Sequence, residues 1–557
     1  MQPVISAARM REIDRLTVSD FQTPSLLLME AAAEASLQAL AQRFPENLKN
    51  KKARILCGPG NNGGDGATLA RTLARLGVQT DLILFGRVAD TRGDARTNFE
   101  ITHRLASFEA GSNVRPAPLS FVECATVSDW EEIARPRKAY DIIVDALFGT
   151  GLTRPLEGVY LQVVQHLALI RNARERSATV RPFIVSLDVP SGLNADLGDP
   201  IGDAVQADLT VTFTAPKPAN VLPPAFHLCG ELVIANIGSP ISLVEAARPD
   251  LFVTEDQDAR DWLVGTRYSS DSYKNMHGHA LIIAGSRGYM GAAALCANAA
   301  MRSGAGLVTI ATPVSAQASV AAAAMPEVMT TALAETDRGA VSDEAIDHVG
   351  SLVAKVNVVA IGPGLSAADA RTRRFVRAVV ENRTTPVVID ADGLNCLSPW
   401  PRDLRGSTEF PIILTPHQGE MLRLLDAKEK VALSDRVAAV REFAANNHVI
   451  LVLKGSRSLV GAPDGRVFVN PTGNAGLGTA GSGDTLTGLI AGFLAQASGT
   501  LKQNSNALSA TLAALYVGGL AGDLAAAKLG MRTMVASDIQ QHFGAAIRQL
   551  DKEGEQP

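Results

Sequence analysis

One short stretch, TAGSGDTLTG at residues 479 to 488, sets a single carboxylate, Asp484, among small residues just before an apolar run. A helix beginning here would turn its unpaired N–H groups, from Ala480 to Gly483, toward an anion. Asp484 would lie beside that anion hole as a general base, taking a proton from a hydroxyl that attacks phosphorus. The alternative is that Asp484 only caps the helix, as acids in isolated Gly-x-Gly-Asp strings often do.

A second glycine-rich segment, GPGNNGGDG at residues 58 to 66, follows the apolar run Ile55–Cys57 and opens an alanine-rich helix. Glycines let the backbone approach a ligand, and a helix start favours phosphate, so the segment predicts a dinucleotide or phosphorylated ligand. The alternative is a tight strand-to-helix turn with Asp65 as its N-cap.

Two further acids, Asp145 and Asp188, each come directly after a β-branched or aliphatic run. Acids at strand ends that face one crevice are unfavourable unless something binds there. Asn62, Asp145 and Ser191 offer only oxygen ligands, which suits a hard cation and not zinc.

The runs that position these residues alternate with helical patterns, which predicts an α/β fold with parallel sheets covered by helices. In each half, the sequence therefore predicts a doubly wound domain. The expected domains are residues 1–240 and 255–557, joined by a linker over 241–254. The predicted strands are Ile55–Cys57, Leu82–Phe85, Ile142–Val144, Phe183–Leu187, Leu209–Phe213, Leu232–Ile237, Leu281–Ala284, Val356–Ile361, Val387–Ile389, Ile412–Leu414 and Val449–Leu453.

Composition narrows the function classes. The 557 residues carry a net charge of −5 and show no basic stripe, so no nucleic-acid partner is expected. The 5 cysteines are odd in number and form no CxxC pair, which indicates neither disulfides nor zinc and favours a cytoplasmic location. The apolar span Ala507–Leu524 contains Asp523 and several glycines, and is expected to be a buried helix, with no membrane partner.

The motifs GNNGGDG, DALFGTGL and DVPSGLNADLG resemble the N-terminal epimerase domain of bifunctional NAD(P)H-hydrate repair enzymes, over about residues 1 to 240. The resemblance implies a Rossmann-like three-layer domain, with Asp188 as the substrate-contacting acid and our choice for proton transfer. It implies potassium at Asn62, Asp145 and Ser191. The residues implied to hold the hydrated dinucleotide are Asn61, Asn62, Gly63, Gly64, Asp65, Gly149, Thr150, Gly151, Leu152, Thr153, Arg154 and Pro155.

In the second half, IGPGL, VVIDADGLN, ILTPHQGEM, LVLKGSRSLV and AGSGDTLTG resemble the ribokinase-like superfamily, and within it the ADP-dependent NAD(P)H-hydrate dehydratases. The resemblance implies that Gly364, His417 and Asp484 contact the hydrated nicotinamide nucleotide, with Glu420 placing Mg²⁺ through water. Ser366 stands where that family has a glycine. The residues implied to hold ADP are Lys454, Gly455, Ser456, Arg457, Ser458 and Gly483.

Together these resemblances imply that one chain epimerises the R and S forms of NADHX and NADPHX and dehydrates the S form with ADP. The expected partners are these small molecules and further copies of the chain in a homo-oligomer. Two alternatives remain open at this stage. In the first alternative, the second half is an ordinary kinase for a vitamin-like alcohol, because the same base serves phosphorylation and dehydration. In the second alternative, the first half is a non-catalytic nucleotide-binding module.

Overall fold

The computed structural model describes residues 1–45, 48–111, 118–134, 139–176, 182–501 and 506–551. The chain divides into two compact units. The N-terminal unit is Pro3–Pro249, and the C-terminal unit is Asp250–Pro557 together with Met1–Gln2. The dividing point falls inside the predicted linker, where the chain forms a short helix and a short strand rather than an extended connection.

The strands that precede the dividing point in the chain are short and mostly buried. They are β1 (Gln2–Val4), β2 (Lys52–Cys57), β3 (Gln79–Leu84), β4 (Leu119–Glu123), β5 (Ile142–Ala146), β6 (Phe183–Leu187), β7 (Leu209–Phe213) and β8 (Glu231–Ala235). The helices are α1 (Ala7–Ser19), α2 (Ser25–Arg43), α3 (Asn61–Arg75), α4 (Gly93–Gly111), α5 (Val127–Ala134), α6 (Gly158–Arg176), α7 (Pro218–Val221) and α8 (Ile241–Ala246).

The N-terminal unit is built on a parallel sheet in the order β4-β3-β2-β5-β6-β7-β8. Successive side chains of a strand point to opposite faces, so Ile55 packs with helices α2 to α4 while Leu56 packs with α5 and α6. This is the expected doubly wound, three-layer arrangement. The order reverses between β2 and β5, and ligands bind at the carboxyl ends of strands at such a switch point.

The C-terminal unit alternates strands and helices in the same way. Its strands are β9 (Leu251–Val253), β10 (His279–Ile283), β11 (Leu307–Pro313), β12 (Met329–Leu333), β13 (Val358–Ile361), β14 (Val387–Ile389), β15 (Ile412–Leu414), β16 (Ile450–Leu453), β17 (Leu459–Gly461) and β18 (Val467–Val469). Its helices are α9 (Asp256–Gly265), α10 (Met290–Arg302), α11 (Val314–Ala323), α12 (Ile346–Val353), α13 (Ala370–Glu381), α14 (Asp392–Cys396), α15 (Gln418–Leu424), α16 (Arg436–Asn447), α17 (Ser482–Gly499), α18 (Ala507–Leu529), α19 (Ala536–Gln541) and α20 (Phe543–Leu550).

Within the sheet of this unit, strands β9 to β18 are ordered β9-β18-β17-β16-β15-β14-β13-β10-β11-β12. The strands from β16 back to β12 are parallel, and β17 is antiparallel to both of its neighbours. The order reverses between β10 and β13, so the loops after these two strands flank a second crevice. The fold is again α/β and doubly wound, as the sequence predicts.

Helix α17, which begins beside Asp484, is held against α10 by two glycines. A Cβ on Gly488 would lie 1.9 Å from the carbonyl oxygen of Cys296, and one on Gly492 would lie 1.8 Å from Oγ of Ser303. Only glycine permits so close a crossing. The packing of α17 therefore fixes where its first turn, and with it Asp484, meets the crevice.

Helix α18 is the one helix in the described ranges that is long and apolar enough to cross a membrane by length and composition. Of its most apolar window, 61% is buried inside the unit, and its Leu512, Val517 and Ala521 belong to the main hydrophobic core. A core helix passes the same test, as expected for the span Ala507–Leu524.

Candidate active sites

In the N-terminal unit, the GNNGGDG segment is the first two turns of α3 and not a loop. The helix begins at Asn61 with Gly60 as its N-cap, and no side chain caps it. Asp65 lies inside the helix, so the alternative that Asp65 is an N-cap is wrong. A Cβ on Gly63 would lie 1.8 Å from the carbonyl oxygen of Gly58, so the glycine brings the helix start against the end of β2.

Asp145, at the end of β5, is fully buried, and its neighbours in the described residues include no cation. Ser191 donates to it from Oγ at 2.6 Å and from its amide at 2.9 Å, and Ser186 Oγ donates at 2.8 Å. Burial raises the pKa of Asp145, against the opposing effect of these hydrogen bonds. The buried amide oxygen and nitrogen of Asn62 have no hydrogen-bond partner among the residues that the structure describes. A buried carboxylate and an unsatisfied amide oxygen suit a hard cation.

Asp188 forms the centre of the second arrangement at this crevice. Lys217 Nζ donates to its Oδ1 at 2.5 Å, and the ammonium is also bound by Thr212 Oγ1 and by the carbonyl oxygen of Phe213, each at 3.0 Å. Only 1% of Lys217 is exposed, against 9% of Asp188. The backbone of Asp188 has a positive φ of 64°, which is unfavourable for a non-glycine residue and fixes the direction of its carboxylate.

The sequence analysis did not select Lys217, although the residue falls inside the N-terminal domain predicted over residues 1–240 and is at the site. The available signal was a lysine between two prolines immediately after the apolar run of β7.

Gly149 joins the two arrangements. A Cβ at this position would lie 3.0 Å from Asp188 Oδ2 and 3.5 Å from Asn62 Cγ, so the two side chains face one small space. The rest of the predicted loop is divided: Leu152 is buried in the hydrophobic core, whereas Gly151 and Thr153, Arg154 and Pro155 are exposed. Leu152 therefore stabilises the core through its packing.

Two more carboxylates lie in the same electrostatic environment. Burial, followed by the charges of Asp188 and Asp14, raises the pKa of Asp65 well above its ordinary value. Burial likewise raises the pKa of Asp14, on α1, to about 6, with Asp188 adding to the rise and Lys217 opposing it. The site thus combines an acid favoured in its neutral form, Asp65, with one whose charge is balanced by an ammonium, Asp188.

In the C-terminal unit, α17 begins at Ser482, close to the predicted start. Gly481, with a φ of 84°, is its N-cap, and Asp484 is the third helical residue, so the alternative that Asp484 is the cap is wrong. The amide of Ser482 donates to the carbonyl oxygen of Thr479 at 3.4 Å, which takes up one of the four N–H groups expected in the anion hole.

Behind Asp484 lies a buried acid that the sequence reasoning did not select. Asp390, directly after β14, accepts from Lys454 Nζ at 2.7 Å and from Thr487 Oγ1 at 2.8 Å. Burial alone would raise the pKa of Asp390, but Lys454 and the hydroxyl donors lower it overall. For Asp484, burial and the charge of Asp390 raise the pKa to about 6 despite Lys454.

Lys454 connects this pair to the expected nucleotide loop between β16 and β17. A Cβ on Gly483 would lie 3.4 Å from Lys454 Nζ, so the ammonium is at the start of α17. The loop closes on itself, since Ser458 Oγ donates to the carbonyl oxygen of Gly455 at 3.2 Å, and Arg457 has a positive φ of 53°. Lys454, Gly455, Ser456, Arg457, Ser458 and Gly483 are thus brought to one side of Asp484.

His417 is the N-cap of α15. Its Nδ1 accepts from the amides of Gly419 at 2.9 Å and Glu420 at 3.3 Å, which leaves Nε2 to carry the proton of the neutral ring. In turn, Glu420 Oε2 accepts a hydrogen bond from the His417 amide at 2.8 Å. The same oxygen lies 3.9 Å from Lys454 Nζ. The His417 side chain remains 56% exposed and so is open to a ligand.

Gly364 lies on the other side of the crevice, after β13. Its φ of 64° and the 2.7 Å approach of a Cβ to the Tyr289 carbonyl oxygen both require glycine. Ser366 also has a positive φ, 68°, which explains why a glycine suits this position in the family it resembles. Its amide donates to Asp392 Oδ2 at 2.9 Å, which holds the turn.

The glycine segment before α17 is held by Asp523 of helix α18. Asp523 accepts from the Gly473 amide at 2.9 Å and from Asn474 Nδ2 at 2.8 Å. This acid in an apolar helix thus supports the approach to the anion hole.

Comparison with known proteins covers both units of the chain. The sequence profile described as YjeF-related protein N-terminus matches residues 25–219, and that described as NAD(P)H-hydrate dehydratase matches residues 280–543. The chain is similar to the bifunctional NAD(P)H-hydrate repair enzyme Nnr of Moorella thermoacetica, with 37% identity over 99% of this chain and 98% of the relative. It is 31% identical to the enzyme of that name from Escherichia coli, over 92% of this chain and 87% of the relative.

A solved structure, the ADP/ATP-dependent NAD(P)H-hydrate dehydratase from Bacillus subtilis co-crystallized with ATP and Mg²⁺, matches with 27% identity and a TM-score of 0.45 over 54% of this chain and 98% of that chain. The full-length relatives decide the assignment, because they span both units of the chain. The chain belongs to the family of bifunctional NAD(P)H-hydrate repair enzymes.

Proposed function

We propose that the chain repairs hydrated NADH and NADPH: its N-terminal unit epimerises the R and S forms, and its C-terminal unit dehydrates the S form with ADP. The observation that carries this proposal is the similarity to bifunctional repair enzymes along 99% of the chain, with a built polar site in each unit. Both matching profiles and the full-length relatives argue against the vitamin-alcohol kinase and the non-catalytic module.

In the C-terminal unit the hydroxyl on the ring carbon next to the nitrogen is a poor leaving group and must first be activated. Asp484 takes its proton as the oxygen attacks the terminal phosphorus of ADP, and AMP leaves. Main-chain amides at the start of α17 and the ammonium of Lys454 stabilise charge on the transferred group. The ring nitrogen then expels phosphate, and loss of a proton from the adjacent carbon restores the dihydropyridine.

The remaining predicted residues have separate roles in this proposal. Gly364 and His417, which follow β13 and β15 at the carboxyl end of the sheet, hold the hydrated ring, and the bridge between His417 and Lys454 would set that ring beside the nucleotide loop. Mg²⁺ would accompany the nucleotide phosphates and reduce their charge, with Glu420 reaching it through water; the buried Glu420 carboxylate near Lys454 suits such a place. A homo-oligomer and a cytoplasmic location stay predictions.

In the N-terminal unit the hydroxyl-bearing carbon is a hemiaminal, so its configuration exchanges when the hydroxyl leaves or the ring opens. Asp188 moves the proton at that oxygen, and Lys217 holds the carboxylate in place. Asn61 to Asp65 and Gly149 to Pro155 border the dinucleotide. Potassium would be held by Asn62, Asp145 and Ser191, where it would balance the buried charge.

The proposed reaction has a distinctive product balance. Incubating the full chain with hydrated NADH and ADP should release one AMP and one phosphate for each dihydronicotinamide that regains its near-ultraviolet absorbance. A kinase would instead accumulate a phosphorylated product without that absorbance. No recovery of the absorbance would overturn the proposed dehydration.

Potassium should stabilise the N-terminal unit. A ligand that binds only the folded state raises the free energy of unfolding by about 1.4–2.7 kcal/mol when it is present at 10 to 100 times its Kd. We expect a higher thermal midpoint and faster epimerisation in potassium chloride than in tetramethylammonium chloride at equal ionic strength. Asp145→Asn should remove the difference between the two salts. Equal midpoints in both salts for the unmodified chain would contradict the potassium site.

A further inference from the structure

A cavity of about 670 Å³ opens beside the crevice of the C-terminal unit. Tyr289, Ser366 and Asp392 line it on the side of the crevice, so it starts two residues beyond Gly364. On its other side it is lined by Arg373 of α13 and by Arg423 and Lys428. None of the roles proposed above uses this space.

Two guanidinium groups at the cavity are positioned without being neutralised. Arg373 donates to the carbonyl oxygens of Ala367 at 2.9 Å and Asn395 at 3.1 Å. Arg423 donates from Nε to Oδ1 of Asn395 at 2.9 Å. All these acceptors are uncharged. In the described part of the chain, neither arginine has a carboxylate within ion-pair distance.

Neighbouring arginines on α13 differ in this respect. Arg371 and Arg374 both pair with Asp343, and Arg377 pairs with Asp403. Arg373, on the same helix, faces the cavity instead. Its charge is therefore available to a ligand rather than used in an ion pair.

Two carboxylates also line the cavity, but they do not cancel the cations. Asp392 accepts from the Ser366 amide at 2.9 Å and from Asn395 Nδ2 at 3.2 Å, so it supports the turn and Asn395. Asp426 is exposed. With Lys428 as the third cation, the lining carries three positive and two negative side chains. It favours an anion that presents several oxygens to guanidinium groups.

The cavity also joins the site directly. A Cβ on Gly419 would lie 2.9 Å from Cε1 of His417 and 3.8 Å from Nη1 of Arg423. The ring proposed to meet the hydrated nicotinamide and the arginine of the cavity therefore border the same backbone. A ligand extending from His417 away from the nucleotide loop would enter the cavity.

We infer that this cavity binds a phosphate group of the hydrated dinucleotide remote from the reacting ring, with Arg373 and Arg423 as donors and Lys428 adding charge. The inference rests on the proposed dehydration. The substrate offers two such groups: the pyrophosphate of both NADHX and NADPHX, and the 2′-phosphate of NADPHX alone. Because the contact lies away from the hydroxyl, it holds ground and transition states alike and affects binding rather than the chemical step.

Steady-state dehydration of both substrates by the full chain tests this inference. Arg423→Gln should raise KM by about tenfold, since a hydrogen bond between charged groups is lost, and leave kcat within about twofold. Lys428→Gln, which removes an exposed cation, should raise KM in the same direction by a smaller factor. A KM increase for both substrates assigns the pyrophosphate, and an increase for NADPHX alone assigns the 2′-phosphate.

Arg374→Gln is the matched control, because Arg374 is on the same helix as Arg373 and its guanidinium is already paired with Asp343; its kinetic constants should equal those of the unmodified chain. Unchanged KM for both substrates in Arg423→Gln and Lys428→Gln would overturn the inference while leaving the proposed function intact. An unmodified chain without any dehydration would overturn both.

Discussion

Replacing Asp484 by asparagine should lower kcat for dehydration by on the order of 10²–10⁴-fold while leaving affinity for ADP within about tenfold. The carboxylate acts on a proton that moves in the transition state, whereas the nucleotide is held by the start of α17 and by the loop around Lys454. Asparagine keeps the shape of the side chain and cannot accept that proton. Stopped assays for AMP and a separate binding titration with ADP measure the two effects.

The pH dependence of the unmodified chain should agree with this role. A base must be ionised, and the pKa of Asp484 is raised to about 6 by burial and by Asp390. Dehydration should therefore be fully active above that pH and decline as the pH falls through about 6, well before an ordinary aspartate would be protonated.

Two results would contradict the assignment of Asp484. One is an equal loss of rate and of ADP affinity in Asp484→Asn, which would indicate a binding role. The other is a lowered thermal midpoint at pH 7. The folded-state pKa of Asp484 lies above its unfolded value, so stability associated with this group is present at low pH and is lost as the pH rises through about 4 to 6. Asparagine removes that loss, and the variant should be no less stable than the parent at pH 7.

Replacing Lys217 by methionine should have the largest effect on stability. It leaves Asp188 buried without its cation, which typically costs 3–5 kcal/mol when one member of a buried pair is removed. Asp188→Asn leaves the buried Lys217 ammonium without its carboxylate and should be destabilised by a similar amount, and it should also slow epimerisation by roughly 10²-fold or more under conditions where the variant is folded. The double variant Lys217→Met with Asp188→Asn should recover much of the lost stability but no epimerisation.

The same variants separate a positioning role from a purely structural one. At a temperature where Lys217→Met is still folded, it should epimerise more slowly than the parent, because the ammonium no longer holds the Asp188 carboxylate in place. Hydrogen exchange of β6 and β7 in the full chain measures the stability change, and chromatographic separation of the epimers measures the rate. Lys52→Met, at an exposed position of β2, is the control. A fully active Lys217→Met variant would exclude the role given to Lys217.

The sequence predicted the central strands well, because strands buried on both faces of a parallel sheet read as apolar runs such as those of β5 and β14. Other strands were missed: three of the five residues of β4 are exposed, and β17 and β18 each have only three residues, but β11 was missed too, although it has seven residues and is mostly buried. The motifs located Asp188 and Asp484 because each follows a recognisable strand or glycine segment.

The partners of those acids were not recognised. Lys217 and Asp390 are one-residue features whose importance depends on contacts with distant positions, Asp188 and Lys454, and no local pattern records such a pairing. The alternatives in which Asp65 and Asp484 are helix caps failed for a related reason: a glycine before each helix takes the N-cap position, and the helix starts upstream of the acid. Local sequence indicates that a helix starts, and tertiary packing determines where.

The most direct measurement is the extent of conversion when an equal mixture of R and S hydrated NADPH is given to the full chain with excess ADP. The unmodified chain should convert the whole mixture to NADPH, because its N-terminal unit supplies the S form as the C-terminal unit consumes it. Asp188→Asn should stop once the S form is used. Complete conversion by Asp188→Asn at the rate of the unmodified chain, or no conversion by the unmodified chain, would contradict the account.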